Sequence, residues 1–183
     1  MRNFNKIEYK SFLKEFKKRK STFKRILEWK KLAEEESDYI KQFIFRWISF
    51  NGLYMSVYAM FHGQDGQDKV EHEPEWKVIK FFCDKFILPD RTLALKIYSE
   101  EIVEGLQKNI KEKSRYMGTY LQNLDDCQTI EEKAKFMVMI TYKIRSRLFH
   151  GEKNPLLEIN QEVIKMANHI ILSLLDYILN KII

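Results

Sequence analysis

The chain has 183 residues, 45% of them hydrophobic, with only 6 Gly and 3 Pro. This length and apolar content fit one folded domain rather than a disordered chain, and the scarcity of breakers argues against a many-turned β fold. The net charge of +6 is unevenly spread, because residues 1–31 hold 12 Lys and Arg against 3 Glu, a local charge of +9.

The amino-terminal segment, 1–36, is predicted to be a basic helical segment that packs on a helical domain formed by 37–183. Its apolar residues have a loose helical spacing, so it forms one helix or two. Its charge suits a polyanion such as RNA, DNA or a membrane surface. Charge alone slightly favours the plainer alternative, a solvated helix face.

The rest of the chain predicts a succession of helices. A central helix is expected over 38–61, because apolar side chains cover most of its circumference, and an exposed loop follows over 62–74. Further helices are predicted over 75–88, 91–113, 116–124, 129–150 and 159–182. Thr129 opens one of them with capping-box spacing, and Gly151 suits the left-handed position that ends it. These elements predict an all-α, antiparallel bundle of about six helices.

The chain also lacks the patterns of several common protein classes. No run approaches the roughly 18 apolar residues of a membrane helix, and the first residues lack the apolar region of a signal peptide. Cys83 and Cys127 have no metal-ligand spacing and are expected to be reduced thiols. No carboxylate cluster, Gly-rich phosphate loop or His/Cys ligand set is evident. We therefore expect a cytoplasmic protein with no membrane partner, metal or cofactor.

One stretch contains side chains suited to phosphate binding and proton transfer. It combines cationic and imidazole side chains at a predicted helix end: Arg145, Ser146, Arg147, His150 and Lys153. An imidazole exchanges protons near neutral pH, and a guanidinium binds phosphate through two parallel bonds. Such a pair suits RNA cleavage by the 2′-hydroxyl without a metal. Arg145 and His150, five residues apart, converge only if the chain turns at Gly151 or if two copies pair.

The plainer interpretation of His150 is a cap at a helix carboxyl terminus, where a cationic side chain is favourable by ~0.3–1 kcal/mol. Spacing alone favours that interpretation. Asn51 has a similar ambiguity in the most apolar helix. A buried amide needs a partner, so Asn51 is expected either to bond a neighbouring helix or to orient Arg145 or His150. Arg46 is expected on the solvent side of the same helix.

Two motifs resemble known sequences. The stretch from Arg145 to Gly151 resembles the Arg-x4-6-His signature of HEPN domains, helical bundles of prokaryotic defence, toxin–antitoxin and RNA-processing systems. The run from Trp47 to Tyr54 resembles the aromatic W-x-x-F-N-x-L-Y helix of the Apea-like HEPN branch, which precedes an R-x-x-L-F-H-G element. The two motifs occur here in that order, and the resemblance spans 38–182.

The resemblance implies a metal-independent ribonuclease that works as a homodimer. By this resemblance Arg145 binds phosphate and His150 is the general acid and base. We further expect Arg147, Lys153, Ser146 and Asn51 to bind RNA or support the site. Catalytic members often carry Asn, Asp or His after the Arg, where this chain has Ser146. A branch controlled by adenylylation has a Tyr two residues after the His, where this chain has Glu152, so that form of antitoxin control is not expected.

Three hypotheses follow. The first is an RNA-cleaving HEPN domain in stress or phage defence, with RNA, a second copy and an antitoxin or other defence-system protein as partners. The second is a catalytically silent module that binds RNA or a partner protein. The third is a helical scaffold in which Arg145 and His150 only stabilise a dimer.

Overall fold

The computed structural model describes residues 14–16, 18–62, 73–110, 115–152 and 154–182, and this part of the chain is all α-helical. Its helices are α1 (Lys20–Glu35), α2 (Tyr39–His62), α3 (Glu75–Phe86), α4 (Arg91–Ile97), α5 (Glu100–Asn109), α6 (Arg115–Asp126), α7 (Ile130–Phe149) and α8 (Glu158–Ile182). The predicted all-α class is confirmed. None of the helices in these ranges is both long enough and apolar enough to span a bilayer.

The two ends of α7 follow from local sequence. At its start the Thr129 hydroxyl accepts the Glu132 amide at 3.2 Å, and the Glu132 carboxylate accepts the Thr129 amide at 3.2 Å. At its end Gly151 has φ +70°, and its amide donates to the Leu148 carbonyl at 3.2 Å. The predicted capping box and left-handed stop are both confirmed, since each needs only a few neighbouring residues.

The prediction of one helix over 91–113 is wrong. The chain leaves the helix at Tyr98 and starts again after Ser99, whose hydroxyl accepts the Ile102 amide at 3.3 Å. A Ser side chain competes with the helical backbone for such donors, so it favours a cap over an unbroken helix. This break contributes to a helix count above the expected six.

The core is built around α2 and α8, which pack on each other. α8 also packs on α4, α5 and α7, and α3 and α7 pack together beside α2. Fully buried aromatic side chains fill the space between them: Phe43, Trp47, Phe50, Tyr54, Phe82 and Phe86. Burial of large apolar side chains at this density is the main stabilising contribution to such a bundle.

The basic amino-terminal region shares this core where it is described. α1 lies along α2, with Phe16, Ile26 and Ala33 buried. A Cβ at Gly52 would come within 2.9 Å of the Ile26 side chain, so the absence of a side chain there lets the helices approach. The Ser49 hydroxyl donates to the Ile26 carbonyl at 2.9 Å. Residues 1–13 lie outside the described residues.

Arg46 is buried, which corrects the expectation that it faces solvent. Its Nη1 donates to Asn168 Oδ1 at 2.7 Å, and the Asn168 amide donates to Gln42 Oε1 at 3.2 Å. Arg46 was expected to be exposed because a cation on an apolar helix normally faces solvent. Amide oxygens on α2 and α8 accept from its Nη1, while its Nε is buried without an acceptor among the described residues.

Candidate functional site

The last turns of α7 hold the candidate residues, and they separate onto different faces. Arg145 and Arg147 are two residues apart, which is about 200° of rotation around an α-helix. Arg145 therefore faces α2 and α3, and Arg147 faces the opposite side of α7. His150 follows at the carboxyl cap, where its side chain is exposed.

Arg145 belongs to a cross-helix cluster. Its Nη1 donates to Glu75 Oε2 at 3.0 Å, and the Tyr54 hydroxyl donates to Glu75 Oε1 at 2.5 Å. Its Cζ lies 5.4 Å from the centroid of the Trp47 ring and 4.6 Å from that of Phe149, distances suited to cation–π attraction. We call Arg145, Glu75, Tyr54, Trp47 and Phe149 the Arg145 cluster.

This cluster leaves hydrogen-bonding capacity unused. Arg145 Nε and Trp47 Nε1 are buried and have no acceptor among the described residues. Arg145 Nη2 is not enclosed in this way, and the Arg145 side chain is 21% exposed. Buried donors are normally paired, so these two are exceptions. A guanidinium with an accessible Nη edge is suited to an oxyanion such as phosphate.

The electrostatics of the cluster keep Tyr54 protonated. Burial, and then the negative charge of Glu75 and the hydrogen bond to it, raise the pKa of Tyr54 far above the ordinary value. Burial also raises the pKa of Tyr142, whose ring stacks on Trp47. The Tyr54 hydroxyl is therefore a hydrogen-bond donor to Glu75 throughout the physiological pH range.

His150 does not join the Arg145 cluster within one chain. Its backbone amide donates to the Ser146 carbonyl at 3.0 Å, and its imidazole makes no hydrogen bond or ion pair with the part of the chain that the structure describes. The turn at Gly151 exists but does not bring the imidazole onto Arg145. Of the two routes to convergence expected from the sequence, pairing of two copies is the one left open.

Arg147 lies in different surroundings. Its Nε donates to Glu152 Oε2 at 3.0 Å, and it lines a cavity of about 40 Å³ between α5, α6, α7 and α8. Ser146 is half-buried between the two arginines. Lys153, also predicted to support RNA binding, lies outside the described residues. Arg147 is thus placed to shape the end of α7 and not to share an anion with Arg145.

The expected partner of Asn51 is not found. Asn51 is half-buried, and its side chain makes no hydrogen bond to a described residue, Arg145 and His150 included. The apolar character of α2 predicted full burial. The α2 face that carries Asn51 retains solvent access, and water can satisfy an amide there.

Glu75 is the residue that sequence reasoning missed. It was expected only as the first residue of a helix, where acidic side chains are common because they favour the helix dipole. It lies 70 positions from Arg145 in sequence. Nothing local in the sequence marks it as a partner of the motif. Phe149 was visible inside the motif, but its stacking on Arg145 was not.

Apolar side chains are exposed at the same end of the molecule. Phe149 is 46% exposed, the turn that follows α7 carries Leu156 at 76% and Leu157 at 54%, and Ile159 at the start of α8 is 37% exposed. Trp76, next to Glu75, is 40% exposed. Contiguous exposed apolar side chains often indicate an interaction surface. We call Phe149, Leu156, Leu157 and Ile159 the apolar rim.

Two further observations bear on the function. The described residues contain no group of three or more His, Cys, Asp or Glu side chains that could hold a metal ion. Comparisons with protein-family models, curated proteins and solved structures found no match to this chain.

Proposed function

We propose that the protein is a metal-independent endoribonuclease of the HEPN type, a hydrolase of prokaryotic phage defence or stress response. The observation that carries the proposal is the Arg145 cluster. A guanidinium is held by Glu75 and two aromatic rings with an accessible edge, on the helix that ends at the exposed imidazole of His150.

The chemistry that these groups support is transesterification. The imidazole accepts the proton of a ribose 2′-hydroxyl, and the 2′-oxygen attacks the adjacent phosphorus. The bond from phosphorus to the 5′-oxygen breaks, and a protonated imidazole gives that oxygen its proton. The products are a 2′,3′-cyclic phosphate and a 5′-hydroxyl. Arg145 stabilises the extra negative charge of the phosphorane as it forms.

The reaction uses one imidazole as the base and a second, protonated imidazole as the acid. A homodimer supplies the second one, since each chain has one His150. The apolar rim lies at the carboxyl end of α7, in the turn after it and at the start of α8, beside His150. Symmetric pairing through this surface would bury the rim and bring two copies of the motif to one cleft. The substitution Leu156→Asp is expected to convert the dimer to monomer in sedimentation at micromolar concentration. A wild-type protein that sediments only as monomer would contradict the shared cleft.

The direct test is incubation of the purified protein with unstructured RNA, with and without EDTA. We expect cleavage in both conditions. His150→Ala should reduce the rate by about 10²–10⁴-fold, the usual contribution of a general acid–base residue. His169→Ala is the matched control, because His169 is exposed on α8 and away from the motif. Cleavage that survives in His150→Ala would remove this residue from the reaction.

The second candidate is a silent HEPN-like module that binds RNA or a partner protein, such as an antitoxin. It is favoured by the ion pair to Glu75, which offsets the charge of Arg145, and by Ser146 in place of the Asn, Asp or His that the family resemblance implies. It predicts RNA binding that depends on Arg145, with no cleavage by the wild type on any RNA.

A further inference from the structure

We propose that Glu75 and Tyr54 are positioning residues, which hold Arg145 by one edge so that its other edge can meet the substrate phosphate. This inference rests on the proposed function. Glu75 is the first residue of α3, Tyr54 lies in the middle of α2, and Arg145 lies near the end of α7. One carboxylate thus links three helices at the candidate site.

The geometry divides the two oxygens of Glu75 between two donors. Oε1 accepts the hydroxyl of Tyr54, which is fully buried, and Oε2 accepts Nη1 of Arg145. Tyr54 therefore fixes the carboxylate, and the carboxylate fixes the guanidinium. The rings of Trp47 and Phe149 restrict it further. An arginine restrained in this way loses less side-chain entropy when it binds phosphate than a free one does.

These contacts contribute to the structure as well as to positioning. The Arg145 and Glu75 side chains are 21% and 28% exposed, so the pair is mostly buried and loss of one partner is expected to lower stability. The cluster also leaves Arg145 Nε and Trp47 Nε1 without an acceptor. Arg46 Nε is also buried without an acceptor among the described residues, so unpaired donors alone do not mark a ligand site. What favours positioning is that one carboxylate, itself held by Tyr54, fixes a guanidinium whose side chain remains partly accessible.

The test uses Glu75→Gln in the full chain. Gln keeps one acceptor oxygen and has an NH2 group in place of the other, so Tyr54 and Arg145 can no longer each donate to an oxygen of their own, and Arg145 is held less firmly. The matched control is Glu73→Gln, since Glu73 pairs on the same segment with Lys77 at 3.2 Å and not with Arg145. Two quantities are measured: kcat and KM on unstructured RNA, and the ¹H–¹⁵N resonance of Arg145 Nε, assigned by its loss in Arg145→Lys.

We expect Glu75→Gln to lower kcat by about 10–100-fold, as misplacement of a positioned group does, with a smaller change in KM. Tyr54→Phe should lower kcat by several-fold, because the carboxylate remains but loses its anchor. The Arg145 Nε resonance should shift or broaden in both variants. Glu73→Gln should change neither quantity.

The outcomes separate this inference from the proposed function. If the wild type cleaves no RNA but the Arg145 resonance responds to Glu75→Gln and not to Glu73→Gln, the ribonuclease proposal fails and the positioning stands. If Glu75→Gln cleaves at the wild-type rate with an unchanged resonance, the positioning is wrong and the ribonuclease proposal stands. Faster cleavage by Glu75→Gln would mean that Glu75 hinders phosphate binding by Arg145, which also overturns the inference.

Discussion

Among the charged clusters that join distant helices in the described residues, two differ clearly in how completely they are paired. In the first, Asp90 accepts the amides of Thr92 and Leu93 at 3.1 Å each, the hydroxyl of Tyr177 at 3.0 Å and Nζ of Lys181 at 2.9 Å. It caps α4 and ties that helix to the end of α8. In the second, the Arg145 cluster, two buried donors have no acceptor among the described residues.

The difference is one reason for proposing a ligand site at the Arg145 cluster and a stabilising role for Asp90. The Asp90 carboxylate is saturated by donors of its own chain, so it has no capacity left for a ligand, and its contribution is to stability. The Arg145 cluster is partly exposed, and two of its buried donors have no acceptor among the described residues. Unsatisfied buried polar groups are uncommon in folded proteins, but Arg46 Nε is another one here, so the proposal rests mainly on the accessible part of the Arg145 guanidinium.

The largest expected effect is on catalysis. Arg145→Ala should slow RNA cleavage by about 10²–10³-fold, on the order of 3–4 kcal/mol of transition-state stabilisation, by analogy with single oxyanion donors. The variant also removes one partner of a mostly buried ion pair, so its free energy of unfolding is measured beside the cleavage rate. Arg91→Ala is the control, since Arg91 forms only an exposed pair with Glu131 at 3.3 Å. A loss of cleavage matched by a loss of folding in Arg145→Ala would assign the cluster to stability.

The opposite pattern is expected at the other cluster. Asp90→Ala removes a helix cap and a charge-assisted hydrogen bond and should lower the free energy of unfolding by about 2 kcal/mol. Its cleavage rate below the melting transition should equal that of the wild type. Asp90→Asn retains a capping oxygen, so its free energy of unfolding should fall less than that of Asp90→Ala. Urea unfolding and a parallel cleavage assay check both variants. An Asp90→Ala protein that cleaves RNA slowly but unfolds at the wild-type urea concentration would contradict a purely stabilising role for Asp90.

A smaller effect concerns alkaline stability. Burial and the charge of Glu75 raise the pKa of Tyr54, so the folded state keeps a proton that the unfolded state releases above about pH 10. The stabilisation is complete below that pH and is lost as pH rises, by up to ~1.4 kcal/mol per pH unit for one group. Tyr54→Phe should flatten this decline between about pH 10 and 11. Tyr39→Phe, which removes a hydroxyl that bonds no described residue, should not.

The smallest effect concerns the basic α1. The double variant Lys20→Gln, Arg25→Gln should weaken RNA binding by a few-fold and reduce the salt slope by about 0.7 for each phosphate contact removed. Both side chains are exposed, as are Lys96 and Lys108, whose double replacement by Gln is the control. Deletion of residues 1–31 would be a poorer test, because it removes Ile26 from the core. Equal RNA affinity of the two double variants would show that the basic face of α1 is only solvated and does not bind RNA.

Local features of the fold were predictable from sequence. The capping box at Thr129 and the stop at Gly151 depend on residues within a few positions of one another, and the all-α class depends on periodicity and on the scarcity of Gly and Pro. The break at Ser99 was missed because apolar periodicity continues across it. The burial of Arg46 was missed because Gln42 and Asn168, which make it tolerable, lie on two different helices.

The candidate site was predictable only in part. Sequence located Arg145 and His150 near one helix end, but the direction of each side chain depends on the packing of α7 against α2 and α3. The contact of Glu75 could not be predicted from sequence, because it joins residues that are 70 positions apart. The expected role of Asn51 in orienting the motif is not supported by any contact, because the amide lies on a face of α2 that solvent reaches.

The most direct test of the functional assignment is the requirement for the 2′-hydroxyl. An RNA oligonucleotide is compared in EDTA with the same oligonucleotide carrying one 2′-deoxyribose immediately 5′ to the cleaved bond. We predict that the all-RNA strand is cut to a 2′,3′-cyclic phosphate and a 5′-hydroxyl, and that the substituted bond stays intact. Equal cleavage of the substituted strand, or cleavage only when a divalent metal is supplied, would contradict an Arg145 and His150 ribonuclease site.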